Sequence, residues 1–151
     1  MVRKTKAVIV DTYAIMADLK GEAPSKAIKY LDMIRLGRIE GYLHYLIVYE
    51  LVYHWRKGRL PFKDQRELRE FVNTYFKLID ISLDVALEAS QVKIIGDRLL
   101  QKARDLKLKK RKLSIADVMS ITLALKYGVP VITGDIDLSY VAKNLGIEVL
   151  W

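Results

Sequence analysis

The chain has 151 residues, enough for one domain with its own core, and its 52% apolar and 29% charged content excludes wholesale disorder. With no cysteine and only two histidines, His44 and His54, it has no disulfide framework, thiolate zinc site, iron–sulfur cluster or cysteine nucleophile, and little imidazole chemistry. Lys and Arg number 26 against 18 Asp and Glu, a net charge of +8, of which residues 93–112 alone carry +7 through nine bases and two acids.

Met1 to Lys6 is basic and passes directly into Ala7–Val10. That apolar run is too short for a signal peptide or a membrane span, so a cytoplasmic protein is expected. Its β-branched content reads as a buried, parallel strand ended by Asp11. A short helix over Thr12–Leu19 precedes the Gly21-Glu22-Ala23-Pro24 turn. Ser25 is expected to cap an amphipathic helix with Ala27, Ile28, Leu31 and Ile34 on one face, closed by Gly37. Ile39–His44 reads as a second strand, Leu46–Arg56 as an apolar helix and Lys63–Tyr75 as a helix charged along one side. Lys77–Ile81 alternates as a strand, Asp84–Ile95 has helical spacing, and Gly96–Lys112 reads as a basic helix plus turn. Ser114 opens a helix over Ile115–Lys126 that Gly128 terminates ahead of Pro130. Val131–Thr133 is a strand, Asp135–Leu145 a turn and helix stopped by Gly146, and Ile147–Leu150 a last strand. Strands alternating with helices predict a single-domain α/β sandwich with a mainly parallel sheet, without internal repeats.

Ligands of open α/β sheets bind outside the carboxyl ends of the strands. Asp11 and Asp135 both occur where strands end and would face one crevice, although Asp is also a favoured helix N-cap. Glu50 sits inside Leu46-Ile47-Val48-Tyr49-Glu50-Leu51-Val52-Tyr53, a helix with no plainly polar side. A carboxylate there needs a partner, a proton or a cation unless it finds a gap to solvent or a tyrosine hydroxyl. Asp117 stands three residues after Ser114, the spacing of a capping box, and heads an almost uncharged helix. Four acids from separate segments converging at one place would not stay ionised without a cation. All-oxygen ligation suits Mg²⁺ or Mn²⁺, ions that act on phosphates.

The basic segment, with Lys107, Lys109, Lys110, Arg111 and Lys112 at its end, points to a polyanion or to a merely solvated surface. A membrane partner is not expected, since it would want an amphipathic helix with large apolar anchors. Acids for metals and bases for a polymer make a nuclease coherent. Glu50 and His54 have an i, i+4 spacing that two ligands of a transition metal use, but no further histidine is near in sequence. Tyr42, Tyr45, Tyr49, Tyr53 and Trp55 have a near-helical spacing that fits a core or dimer interface better than a base-stacking platform.

Val10-Asp11, Val48-Tyr49-Glu50-Leu51-Val52, Leu113-Ser114-Ile115-Ala116-Asp117 and Thr133-Gly134-Asp135-Ile136-Asp137-Leu138 together resemble the PIN-domain nucleases, especially the VapC-type toxins of toxin–antitoxin pairs. The resemblance spans the whole chain and implies a PIN-like α/β/α sandwich. It places Asp11, Glu50, Asp117 and Asp135 at the family's four acidic Mg²⁺/Mn²⁺ positions, Thr133 at its hydroxyl position and Asp137 as an extra acid. Thr133 and Ser114 would orient carboxylates from behind. It implies an endoribonuclease using metal-activated water, an RNA substrate, a homodimer and an antitoxin whose tail occupies the acidic groove. Leu138 stands where the family often has an aromatic residue, and 93–112 is longer and more basic than in compact members. RNA-processing or decay nucleases without an antitoxin, and an inactive RNA-binding module, are the alternatives.

Overall fold

The computed structural model describes residues 5–151, so most of the basic lead Met1 to Lys6 lies outside it. Five strands form one sheet in the order β3-β2-β1-β4-β5: β1 Ala7–Val10, β2 Glu40–His44, β3 Lys77–Ile79, β4 Val131–Ile132 and β5 Val149–Leu150. Every pairing is parallel, so the mainly parallel sheet read from the sequence is parallel throughout. The helices are α1 Thr12–Leu19, α2 Ser25–Arg35, α3 Tyr45–Arg56, α4 Gln65–Tyr75, α5 Leu83–Gln101, α6 Leu106–Lys109, α7 Ile115–Tyr127 and α8 Ile136–Asn144.

Alternation along the strands assigns these helices to two faces. Val8, Val10, Leu43, Ile132 and Leu150 join a core with α1–α4. Ile9, Ile79 and Val131 join a second core with α5–α8. Strands covered on both sides need continuous apolar runs, which is why Val8, Ile9 and Val10 are all inaccessible to solvent.

Two local expectations are corrected. Ser25 is the first residue of α2, and Pro24 occupies the cap position without a side-chain hydrogen bond; proline's fixed φ suits entry into a helix. The basic segment does not begin a new helix at Gly96, because α5 runs through it for 19 residues. A Cβ on Gly96 would collide with Leu113 Cδ1, so this glycine serves a close approach rather than a break. A turn then leads to the single turn of α6. Gly128 does end α7, at φ 64° in the left-handed region.

The order of the strands sets the position of the site. The chain builds outward from β1 through β2 to β3, then returns to the other side of β1 for β4 and β5. The carboxyl edge between β1 and β4 is therefore the topological switch point, where a crevice opens.

Candidate active site

Three acids owe their positions to helix N-termini at that edge. Asp11 follows β1 and caps α1, its Oδ1 accepting the Ala14 N–H at 2.9 Å. Asp135 lies beyond β4 and caps α8, its Oδ2 accepting the Leu138 N–H at 2.8 Å. Asp117 lies in the first turn of α7, where the Ser114 cap accepts the Asp117 N–H at 3.1 Å. A helix preceding a parallel strand runs back across the sheet, which brings the start of α7 to the strand ends. The capping roles and the shared crevice are thus one arrangement, since the partial positive charge of helix N-termini favours anions there.

Hydroxyls tie the acids together. Thr133 Oγ1 donates to Asp11 Oδ2 at 2.5 Å and accepts the Asp135 N–H at 3.0 Å. Glu50 reaches the group from α3 and accepts the Thr12 hydroxyl at 2.6 Å. Gly134, between Thr133 and Asp135, lies under Tyr13 and Trp151 with no room for a Cβ.

A pocket of about 380 Å³ is lined by Asp11, Glu50, Asp117, Asp135 and Asp137, with Ser114, Arg111 and Lys112 among its other walls. Arg111 Nε donates to Asp137 Oδ2 at 2.8 Å. A larger hollow of about 830 Å³, bounded by Tyr42, Tyr127 and Pro130, contains none of these acids. Lys107, Lys109 and Lys110 are exposed on and just after α6, away from the pocket lining.

Burial pushes the Asp11 carboxyl up to about 8, with Asp117 and Asp135 adding to the rise against the hydrogen bonds from Thr133 and Ala14. Asp11 is only 4% exposed. Asp117 is raised to about 7, first by burial and then by Asp135, with Glu50 and Asp137 adding and Ser114 opposing. Burial and Asp135 also raise Asp137, while Arg111 works the other way.

As the side chains stand, no group of three or more His, Asp or Glu among the described residues is arranged to hold a metal ion. Carboxylate oxygens of Asp11, Glu50 and Asp137 are engaged by Thr133, Thr12 and Arg111. The chemistry of the donor set nonetheless fits a hard divalent cation: oxygen donors only, and burial, reinforced by neighbouring acids, that drives Asp11 and Asp117 toward neutrality, which a cation would reverse.

The histidines stay outside this chemistry. His44 is fully buried with Nε2 2.9 Å from Ser120 Oγ, and burial lowers its imidazole to about 4. His54 does line the pocket, but its Nδ1 is 3.0 Å from Arg59 Nη1. Tyr45, Tyr49 and Tyr53 are exposed along α3 and do not enter the core, whereas Trp55 packs inward and donates to the Phe62 carbonyl at 2.8 Å. Sequence reasoning missed Thr12 as the partner of Glu50 and Arg111 as the partner of Asp137. A hydroxyl directly after the strand-end acid was the available signal for the first.

A family model described as PIN domain matches residues 8–144. Comparison with curated proteins finds no significant match. Among solved structures, the chain is similar to VapBC2 from Rickettsia felis, bound to a DNA fragment from their promoter, with a TM-score of 0.62, 13% identity, and coverage of 95% of this chain and 96% of that one. It is similar to FitAcB from Neisseria gonorrhoeae with a TM-score of 0.58, 18% identity, and coverage of 95% and 96%. A protein of Pyrobaculum aerophilum gives a TM-score of 0.59 at 20% identity, covering 96% of this chain and 83% of that one. At these identities the likeness is one of fold.

Proposed function

The chain belongs to the PIN domain family, whose members are generally nucleases, and from that premise we propose that it is a Mg²⁺- or Mn²⁺-dependent endoribonuclease and a VapC-type toxin. The observation that carries this is the meeting of Asp11, Glu50, Asp117 and Asp135 in one pocket with Arg111 and Lys112 at its wall. The toxin role and a protein antitoxin are supported by the neighbours, named as VapBC2 and FitAcB assemblies. Homodimerisation and a cytoplasmic location belong to the same reading; no helix among the described residues is long and apolar enough to cross a membrane. An inactive binder would gain nothing from acids placed beside its phosphates.

Asp11, Glu50, Asp117 and Asp135 would hold the cation, with Asp137 an additional ligand once Arg111 leaves it. When bound, the cation supplies Lewis acidity to the phosphodiester and to the attacking water. Thr133 and Thr12 fix the carboxylates of Asp11 and Glu50, and Ser114 fixes the start of α7 and so Asp117. The Asp11 and Asp117 carboxyls, raised to about 8 and about 7, would have to give up their protons to hold a cation. In the hydrolysis, water oxygen bonds to phosphorus as the P–O3′ bond breaks, and a proton goes to the leaving oxygen. The products are a 3′-hydroxyl and a 5′-phosphate.

The long basic stretch through α5 and α6 favours a second reading, an RNA-processing or decay nuclease without an antitoxin. Incubation with single-stranded RNA and with DNA of the same sequence, in Mn²⁺ or in EDTA, tests the activity common to both. Cleavage of RNA in Mn²⁺ only, giving 5′-phosphate ends, is expected. Cleavage that persists in EDTA, or products with cyclic phosphate ends, would contradict it.

A further inference from the structure

Leu113 joins the basic segment to α7, and a single turn of α5 fixes every part of it. Its N–H donates to Asp97 Oδ1 at 2.9 Å and its carbonyl accepts Lys93 Nζ at 2.7 Å. Lys93 and Asp97 also pair with each other, 2.9 Å apart across one turn of the helix. The Leu113 side chain is buried in the notch left by Gly96, where a Cβ would collide with it. Immediately before Leu113 come Arg111 and Lys112, both in the wall of the acidic pocket. Immediately after it comes Ser114, the cap of the helix that carries Asp117.

Lys109, Lys110, Arg111 and Lys112 are four consecutive cations, and an untethered loop of this kind would spread into water under mutual repulsion. Instead Arg111 reaches Asp137 at 2.8 Å, the only ion pair made by a pocket acid among the described residues. Fixing the adjacent backbone lowers the entropy lost when a long side chain takes one geometry.

We propose that Lys93 and Asp97 are positioning residues of the nuclease: by clamping Leu113 they hold Arg111 and Lys112 at the acidic pocket, where the two cations grip phosphates beside the scissile bond. The phosphate grip rests on the nuclease reading above, whereas the clamp does not. On binding RNA, Arg111 exchanges the Asp137 carboxylate for a phosphate, one charge-assisted hydrogen bond for another.

Asp97→Ala removes the acceptor for the Leu113 N–H, and Asp97→Asn keeps it. Two readouts apply: the ¹⁵N NMR signal of the Arg111 Nε–H, and the affinity for a short labelled single-stranded RNA in EDTA across a salt series. In Asp97→Ala the Nε–H signal is expected to move to the position of a free arginine. The log–log salt slope should fall by about 1.4, two contacts at about 0.7 each. Asp97→Asn should restore both, and Asp97→Ala should add nothing to an Arg111→Gln/Lys112→Gln variant. A purely structural role would lower the melting temperature and weaken binding equally in both backgrounds, which overturns the proposal. An unchanged Nε–H signal in Asp97→Ala overturns the clamp. A shifted signal together with wild-type RNA affinity in Arg111→Gln/Lys112→Gln overturns the phosphate grip and locates the failure in the functional reading. If Asp97→Ala does not fold, Lys93→Met, which removes the contact to the Leu113 carbonyl and the Lys93–Asp97 pair but keeps the Asp97 acceptor for the Leu113 N–H, carries the same test.

Discussion

At Asp11 the requirements of folding and of chemistry oppose each other. Its carboxylate caps α1 and accepts the Thr133 hydroxyl, both stabilising, yet burial raises it from 3.8 to about 8. Below about pH 4 the group is protonated in the folded and unfolded states alike, and burial has no ionic cost. Between about pH 4 and pH 8 the unfolded chain releases the proton while the metal-free fold retains it, so stability falls as pH rises through that window. Asn keeps the cap through its one carbonyl oxygen and removes the charge, while its amide nitrogen replaces the oxygen that accepted from Thr133, whose hydroxyl then accepts instead of donating. Metal-free Asp11→Asn should therefore melt above the wild type by about 3–6 °C at pH 8, with the gap closing toward pH 4. Thermal scans at the two pH values check this, and a gap independent of pH would show that burial of the charge is not the cause. The buried imidazole of His44 marks the contrast: it finds Ser120 deep in the core and has no charge to resolve.

The elements were legible wherever a local pattern decides the outcome. The apolar run of β1 has the ends read from the sequence, and α7 begins and ends where Ser114 and Gly128 indicate, because caps and left-handed glycines act within a turn. The course of α5 was not legible. Gly96 looks like a breaker, and its purpose appears only when Leu113 packs on it. The same limit applied to the site: the acids were identifiable singly, by strand ends and an apolar helix. Their partners were not, since Thr12–Glu50, Arg111–Asp137 and Leu113–Asp97 join residues 38, 26 and 16 positions apart. α7 offers a test at this scale. Ser114→Ala removes the cap and should cost about 1 kcal/mol, a loss of roughly 2–4 °C in melting temperature. It should also depress cleavage more than a like-sized loss of stability elsewhere, because Asp117 lies in the turn being loosened. The comparison is with Asp64→Ala, which removes the cap of α4, outside the pocket lining. Equal activity in the two variants would separate Ser114 from catalysis.

Across the whole molecule, a chain of net charge +8 encloses an acidic pocket at the switch point of its parallel sheet. On the proposed reading, the excess charge would draw in a polyanion from a distance. Close up, the carboxylates would repel that polyanion unless a cation joined them. Raised carboxyls must release protons to receive a cation, so the sharpest measurement is calorimetric titration of Mn²⁺ at pH 6.5 in two buffers of different ionisation enthalpy. Convergence of Asp11 and Asp117 on the ion predicts binding by the wild type with release of about one to two protons, and loss of both in Asp11→Asn/Asp117→Asn. Wild-type affinity in that double variant, or wild-type binding without proton release, would contradict a catalytic cation held by these acids.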